Sequence, residues 1–497
     1  MMQSEEIAAL LAALPRRCAD VIAPHAGRDE DALIGDTASL TWPELSRAVE
    51  AAAQDLRALG VRGGDRVLIL GENEPAMAVL LLACGRIDAW AIPANARLTP
   101  AEVAGIHDHA GVRVSLYCTA CSPAAAAHAG EATPWGSMAG VMVSAVEADS
   151  VPEPVHDDPA LQCAALIYTS GTTGRPKGVM LSHRSLLFMA EMGVRVRGWR
   201  ADDVMYGVLP MSHVFGLANM LLGGLVAGAS LRLVPRFDPA AMLAAIEDGV
   251  SVIQGVPAIF ARLLAHVRAE GRLPFAPRLR VLSSGGSPMD PAVQHGLRRV
   301  FGLLPHNGYG LTEAGPTISQ TRVPQDDLST GPIMAGVEAR IAADGEIEAR
   351  GPGIMLGYYR DPAATAAAFT EDGFLRTGDL GRIDEQGRLW LIGRSRELII
   401  RSGFNVHPAE VEGAIATHPA IVQVAVVGRP AAEGNEEVVA FYTAQGEVDE
   451  ASLVAHTAQK LAPYKRPTRW IRLESLPASG AGKVLKHRLA SMARLLP

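Results

Sequence analysis

Residues 168–183, YTSGTTGRPKGVMLSH, crowd small donors and one cation into a short run that continues the apolar stretch AALIYT (164–169). Glycines 171, 174 and 178 let backbone N–H groups turn towards an anion with no Cβ in the way. Thr169, Ser170, Thr172 and Thr173 add hydroxyl donors, and Lys177 adds a long mobile cation. A Walker A pattern cannot be laid on the run, yet its donor set is that of a phosphate cradle. A flexible linker would have no use for Lys177 and Gly178 beyond Pro176. Ser182 is a helix cap for HRSLLFMAEMG, so the expected order is strand, donor-rich loop, helix, holding a triphosphate.

Other runs carry groups of complementary type. NGYGLTEAG (307–315) sets Tyr309, Thr312 and Glu313 close together. A carboxylate beside a triphosphate calls for a hard cation between them. Standing alone, the same run reads as a helix start with Thr312 as cap and Glu313 in the first turn. GGSPM (285–289) is a turn after a strand. RTGDLGRIDEQGRLWLIGRSRE (376–397) offers Asp379, Arg394 and Arg396. LPASGAGKVLK (476–486) is a mobile loop by its Pro477, Gly480 and Gly482, and it presents Lys483; a surface lysine is the plain alternative.

The elements that must position these groups alternate from residue 40 to about 270. TWPELSRAVEAAAQDLRALG (41–60) has helical spacing with Gly60 as a stop, and DRVLILG (65–71) is a short buried strand. EPAMAVLLLACGRIDAW follows as helix and AIPAN as strand. Such alternation predicts parallel sheets covered by helices. SVIQGVP and RVLSSGG are strands that end in glycine, where α/β sheets meet their ligands. From about 335, ADGEIEARG and DEQGRLWLIG predict hairpins. Residues 394–497 carry 13 Lys and Arg against 10 Asp and Glu, which fits either a separate anion-meeting domain or a solvated basic face.

A chain of 497 residues exceeds one ordinary core, and 48% hydrophobic with 20% charged residues is a globular composition. A net charge of −8 gives no sign of general nucleic-acid binding, which usually leaves a basic footprint. Five cysteines make no disulfide framework; Cys118 and Cys121 form one CxxC without the second pair of a zinc set. MMQSEEIAALLAALPRR has its acids first and its arginines last, the reverse of a secretory signal, and reads as an amphipathic helix. LANMLLGGLVAGAS (217–230) is too short and glycine-rich to span a bilayer. The expected location is cytoplasmic, with no membrane span.

Taken in order, these motifs resemble those of the adenylate-forming superfamily, in particular its acyl-CoA synthetases, over essentially the whole chain. The resemblance implies an α/β fold. A large N-terminal domain (1–393) has parallel-rich sheets flanked by helices and a small β-rich subdomain. A hinge (394–396) joins it to a small mobile α+β lid (397–497) that carries Lys483. It implies ATP, Mg²⁺ and coenzyme A as partners. Thr169, Ser170, Gly171, Thr172, Thr173, Gly174 and Lys177 would cradle the phosphates, and Glu313 would ligate Mg²⁺. Tyr309 would stack on the purine, beside Asn307, Gly308 and Gly310, and Thr312 would bond the phosphate. Gly286, Ser287 and Pro288 would border adenine and acyl group. Asp379 would accept both ribose hydroxyls, with Arg394 on the same nucleotide. Arg396 stands where the family usually has Asp or Lys.

The run PMSHVFGLANML (210–221) resembles the acyl-pocket segment, with Phe215, Gly216 and Leu217 on the wall together with Gly285, Gly310 and Gly315. His213 would guard the carboxylate; a core histidine is the other reading. Catalytic roles fall to Lys483, Glu313, Thr169 and His213. RSGFNVHPAEVE (401–412) would supply the face for the thiol, with Gly403 where a side chain would obstruct it. The implied reaction is an acid:CoA ligation through an acyl adenylate, acting on a fatty or aromatic monocarboxylic acid. Two alternatives are a stand-alone enzyme loading a carrier protein's pantetheine arm and a catalytically inactive nucleotide binder. No carrier domain is expected after Lys483, and the retained Lys177, Glu313, Asp379 and Lys483 argue against the inactive form.

Overall fold

In a computed structural model of the chain, all residues are described except 1–2, 137, 170–176, 395–396, 402–403, 432–434, 479–483 and 497. Two eight-stranded sheets form the body. The first runs, in space, Ser319–Gln320, His306–Tyr309, Val281–Ser284, Val252–Gly255, Val204–Gly207, Ser230–Leu233, Asp31–Ile34, Ser39–Thr41. Its inner strands all pair parallel, and only the two edge strands are antiparallel. The second sheet has Trp90–Asn95, Arg66–Gly71 and Val114–Cys118 parallel at its centre.

Strands covered on both faces must be apolar throughout, and Arg66–Gly71 is buried at every position. The helix Pro75–Arg86 buries ten of its twelve residues and shares one hydrophobic cluster with strands of both sheets. A helix apolar all round can sit only between layers. Trp42–Ala58, by contrast, is amphipathic; its start is a capping box in which Thr41 and Glu44 bond each other's backbone N–H. No helix among the described residues is long and apolar enough to cross a membrane.

The hairpins expected after residue 335 form a four-stranded antiparallel sheet, Glu338–Ile341, Glu346–Arg350, Leu375–Ile383 and Leu389–Arg394. Beyond it lies a smaller α+β unit. Ile421–Pro430 pairs antiparallel with Glu436–Ala444, which pairs parallel with Arg469–Arg472. Alternate residues of these strands face opposite layers. Val426, Val438 and Ala440 pack on Val411, Ile415 and Leu453, whereas Val427, Val439 and Phe441 pack on Leu489 and Ala493 of the last helix, Lys486–Arg494. Lys486 pins that helix with ion pairs to Glu397 and Glu412, at 2.7 and 2.9 Å.

One expectation fails at the opening motif. After strand Cys163–Thr169 the chain returns as a second strand, Lys177–Ser182, paired antiparallel with the first, and only then enters the helix His183–Arg197. Ser182 caps that helix as expected, accepting from Ser185 N–H. Lys177 and Gly178 therefore belong to a strand. An added Cβ at Gly178 would lie 2.9 Å from Leu166, so close strand packing calls for a glycine here.

Candidate active site

The most closely knit polar group centres on Asp379, in the strand Leu375–Ile383. Its cross-strand partner is Arg394, the last residue of Leu389–Arg394, so sheet register alone sets the two together. Arg394 Nε lies 3.0 Å from Asp379 Oδ1, and the Tyr309 hydroxyl donates to Oδ2 at 2.8 Å. Asp379 is buried and Arg394 exposed, so the carboxylate sits at the floor of an opening with its cation towards solvent. Burial, reinforced by the neighbouring Asp379 charge, pushes the Tyr309 phenol far above its ordinary range, so it remains a donor. The sequence reading set Tyr309 against a purine; here its hydroxyl also reaches the carboxylate meant for the ribose.

A second group joins Lys177, Glu313 and Tyr358. Thr169 closes its strand directly opposite Lys177. Gly357–Tyr358 adds to the edge of the Lys177–Ser182 strand, with Tyr358 paired to Val179. That pairing brings the Tyr358 ring beneath Lys177, whose Nζ is 4.5 Å from the ring centre, and its hydroxyl donates to Glu313 Oε1 at 2.8 Å. Tyr358 was missed by the sequence reading, since nothing local to GYY marks it as a neighbour of Lys177. Glu313 lies in the short 3₁₀ turn Thr312–Ala314, which follows Leu311 as its cap; Thr312 is inside the turn, so the plain helix-start reading fails. Ser170, Gly171, Thr172, Thr173, Gly174, Arg396, Gly403 and Lys483 lie outside the described residues.

The third group surrounds the helix Phe215–Leu222, which is wound with π-type hydrogen bonds, a form concentrated at functional sites. His213 is exposed, and its Nδ1 accepts from Phe215 N–H at 3.3 Å, which excludes the core-histidine reading. Phe215 and Leu217 are buried. A Cβ at Gly285 would meet the Phe215 ring at 3.3 Å, and one at Gly308 would stand 2.5 Å from Gln320 Oε1. Gly216 packs against the Pro210 carbonyl, and Gly310 against that of Pro316, too closely for any side chain. Gly286 and Gly315 take positive φ, +80° and +64°. Gly286, Ser287 and Pro288 form an exposed bend after strand Val281–Ser284.

These surroundings suit a nucleotide. Asn307 Oδ1 and Ser284 Oγ are buried at strand ends with no partner. Asp379 presents two oxygens whose present partners are side chains able to move aside. For a cation, the described residues contain no group of three His, Cys, Asp or Glu. Glu313 thus supplies one hard oxygen ligand, which fits Mg²⁺ completed by phosphates and water.

Residues 22–359 match the AMP-binding enzyme family and residues 410–483 its C-terminal domain. The chain belongs to the AMP-binding enzyme family. Among similar proteins is the 3-[(3aS,4S,7aS)-7a-methyl-1,5-dioxo-octahydro-1H-inden-4-yl]propanoyl:CoA ligase of Mycobacterium tuberculosis, 35% identical, covering 93% of this chain and 96% of the relative. Feruloyl-CoA synthase of Amycolatopsis is 34% identical over 91% of this chain and 93% of its own. The structure of o-succinylbenzoate coenzyme A synthetase from Bacillus subtilis, in complex with ATP and magnesium ion, is 28% identical with a TM-score of 0.80, covering 95% of this chain and 99% of that one. Within the AMP-binding enzymes the chain stands on the acyl-CoA synthetase branch, the ATP-dependent acid–thiol ligases that work through an acyl adenylate. ATP, Mg²⁺ and CoA are accordingly its partners.

Proposed function

We propose that this AMP-binding enzyme activates a monocarboxylic acid, aliphatic or aromatic, in the cytoplasm, and transfers the acyl group to CoA. The observation that carries the reading is the convergence of Tyr309, Asp379 and Arg394, from three separate segments, on one buried carboxylate. Ribose hydroxyls replace the Tyr309 and Arg394 contacts on Asp379, which leaves Tyr309 to face the purine and Arg394 to meet the nucleotide. Thr169, residues 170–174 and Lys177 hold the phosphates, with the Tyr358 ring steadying Lys177. Glu313, oriented by the Tyr358 hydroxyl, would hold Mg²⁺, which supplies charge neutralisation at the phosphates.

The acid's carboxylate oxygen attacks the α-phosphorus, and the bond to pyrophosphate breaks with its electron pair. Two anions must meet for this, so positioning and charge neutralisation are the catalysis available. Lys483 bridges the carboxylate and an α-phosphate oxygen. His213 closes the pocket near the reacting carboxylate, and Phe215, Gly216, Leu217 and Gly285 wall it. The CoA sulfur then attacks the acyl carbon and AMP leaves. For that step residues 397–497 turn about 394–396, removing Lys483 and bringing Gly403 to the thiol. Support for a monocarboxylic acid comes from segment 210–221, which holds no Lys or Arg to pair a second carboxylate.

The test is pyrophosphate exchange into ATP, which should require both Mg²⁺ and an acid. Lys483→Ala should slow exchange roughly 10²–10³-fold while sparing thioester formation from supplied acyl adenylate. Equal damage to both half-reactions would refute the division of labour.

A further inference from the structure

Behind the Phe215–Gly285 approach lies a second polar layer that the reaction as derived does not use: Arg197, Asn219, Gln254, Ser283 and Gln320, all buried. It continues the pocket wall inward. Asn219 stands one turn beyond Phe215 on the same helix, and Ser283 stands two residues before Gly285, in the strand Val281–Ser284. Gln320 Oε1 fills the space left open by Gly308, and Asn219 Nδ2 reaches Thr317 Oγ1 at 3.4 Å.

Arg197 ends the helix His183–Arg197 in this layer with only 5% of its surface exposed. Its Nε donates to Ser283 Oγ at 3.1 Å, one terminal nitrogen donates to Gln320 Oε1 at 2.6 Å, and its guanidinium lies 5.1 Å from the Trp199 ring centre. None of these partners is a carboxylate. Burial alone pulls its pKa down, to about 10, which still leaves it protonated near neutrality. Its other terminal nitrogen, Nη1, has no acceptor among the described residues. Asn219 Oδ1, which like Nη1 lies against Gly193, and Gln254 Oε1, on the side chain that reaches the Asn219 carbonyl, are buried without partners. Buried polar groups are normally satisfied, and a buried cation without a counter-charge is costly. Several unsatisfied groups gathered behind one wall point to a ligand that completes them.

We propose that this layer is the far end of the acyl pocket and selects an acid whose distal end carries a neutral oxygen, a keto or hydroxyl group, received by Arg197 Nη1. The inference rests on the ligase reading above. A neutral oxygen fits better than a second carboxylate because one edge of the guanidinium, Nε and its neighbouring nitrogen, is already committed to Ser283 and Gln320. A carboxylate prefers two parallel donors, whereas a single acceptor needs one. A distal hydroxyl could also donate to Asn219 Oδ1 or Gln254 Oε1. Arg197 is then a specificity-determining residue contributed by a helix outside the segment 210–221.

Pyrophosphate exchange with four acids of matched length, ending in methyl, keto, hydroxyl or carboxylate, tests this. The keto or hydroxy acid should exceed the methyl-ended acid in kcat/KM by roughly 10²-fold, since a site built to bond an oxygen is left unpaired by the analogue lacking it. Arg197→Met should shrink that ratio to within about threefold, and Arg197→Lys should keep part of it. A merely structural role would lower exchange with all four acids alike and leave the ratio standing. The wild-type ranking needs no variant, so a misfolded Arg197→Met leaves the inference open to refutation. Preference for the methyl-ended acid, or for the carboxylate-ended one, overturns it while leaving the ligase reading intact. Exchange with none of the four, nor with any other acid, would overturn the ligase reading and this inference with it.

Discussion

Asp379 and Arg197, the buried charged side chains assigned here to the nucleotide and to the acid, are partnered in opposite ways. At the nucleotide end Asp379 has both oxygens occupied by the protein's own donors, Tyr309 and Arg394. At the proposed acyl end Arg197 has neutral partners only, and Asn219 and Gln254 each keep an unpartnered atom. A ligand arriving at Asp379 exchanges one set of hydrogen bonds for another, so the seat is organised before ATP binds and the net gain per bond is modest. A ligand arriving at Arg197 satisfies groups that nothing else satisfies. On the proposed reading, ribose recognition at Asp379 is a matter of geometry, and acid recognition at Arg197 one of unmet bonding.

The sharpest way to break this comparison is Asp379→Ala. Loss of two hydrogen bonds to a charged acceptor should lower kcat/KM for ATP roughly 10²–10⁴-fold. The ranking among acids should stand, because the acyl layer shares no side chain with the ribose seat. A change in acid ranking as large as the loss for ATP would show that the two ends are one coupled site.

Next in size is the proposed hinge at residues 394–396. Leu389–Arg394 belongs to the four-stranded sheet, while Glu397 is bound to Lys486 of the small unit, so the chain between them joins two separately packed bodies. Arg396→Pro would fix φ at a position that the proposed hinge requires to take two values. Thioester formation should fall more than ~10²-fold while pyrophosphate exchange survives within about tenfold. Arg396→Ala should do much less. Intact thioester formation in Arg396→Pro would move the pivot elsewhere.

The smallest expected effect is at Tyr358. Tyr358→Phe keeps the ring beneath Lys177 and removes only the hydroxyl on Glu313. Exchange should need more Mg²⁺ to reach half its maximum, by about three- to tenfold, with the ATP dependence at saturating Mg²⁺ little altered. An unchanged Mg²⁺ dependence would remove Tyr358 from the metal side and leave it as a support for Lys177 alone.

Much of the architecture was legible locally. The alternation of helix and strand periods announced parallel layers, and the Ser182 cap marked a helix start. The misreading of Lys177 and Gly178 as loop residues has a plain cause. A strand that pairs with its immediate predecessor through a donor-rich turn carries no more local signal than a longer loop, and Gly178 reads as flexible until Leu166 is seen packed on it.

By itself the sequence determined which chemical groups this protein has and the short-range order in which they come, because caps, turns and apolar periods depend on neighbours a few residues away. Only the tertiary structure decided which of those groups meet. Tyr358 reaches Lys177 and Glu313 by adding a short strand to a distant sheet edge, and Arg197 reaches Ser283 and Gln320 by ending its helix beneath two other strands. Those contacts join residues far apart in the chain, and they form only because burial of the shared core brings the layers together.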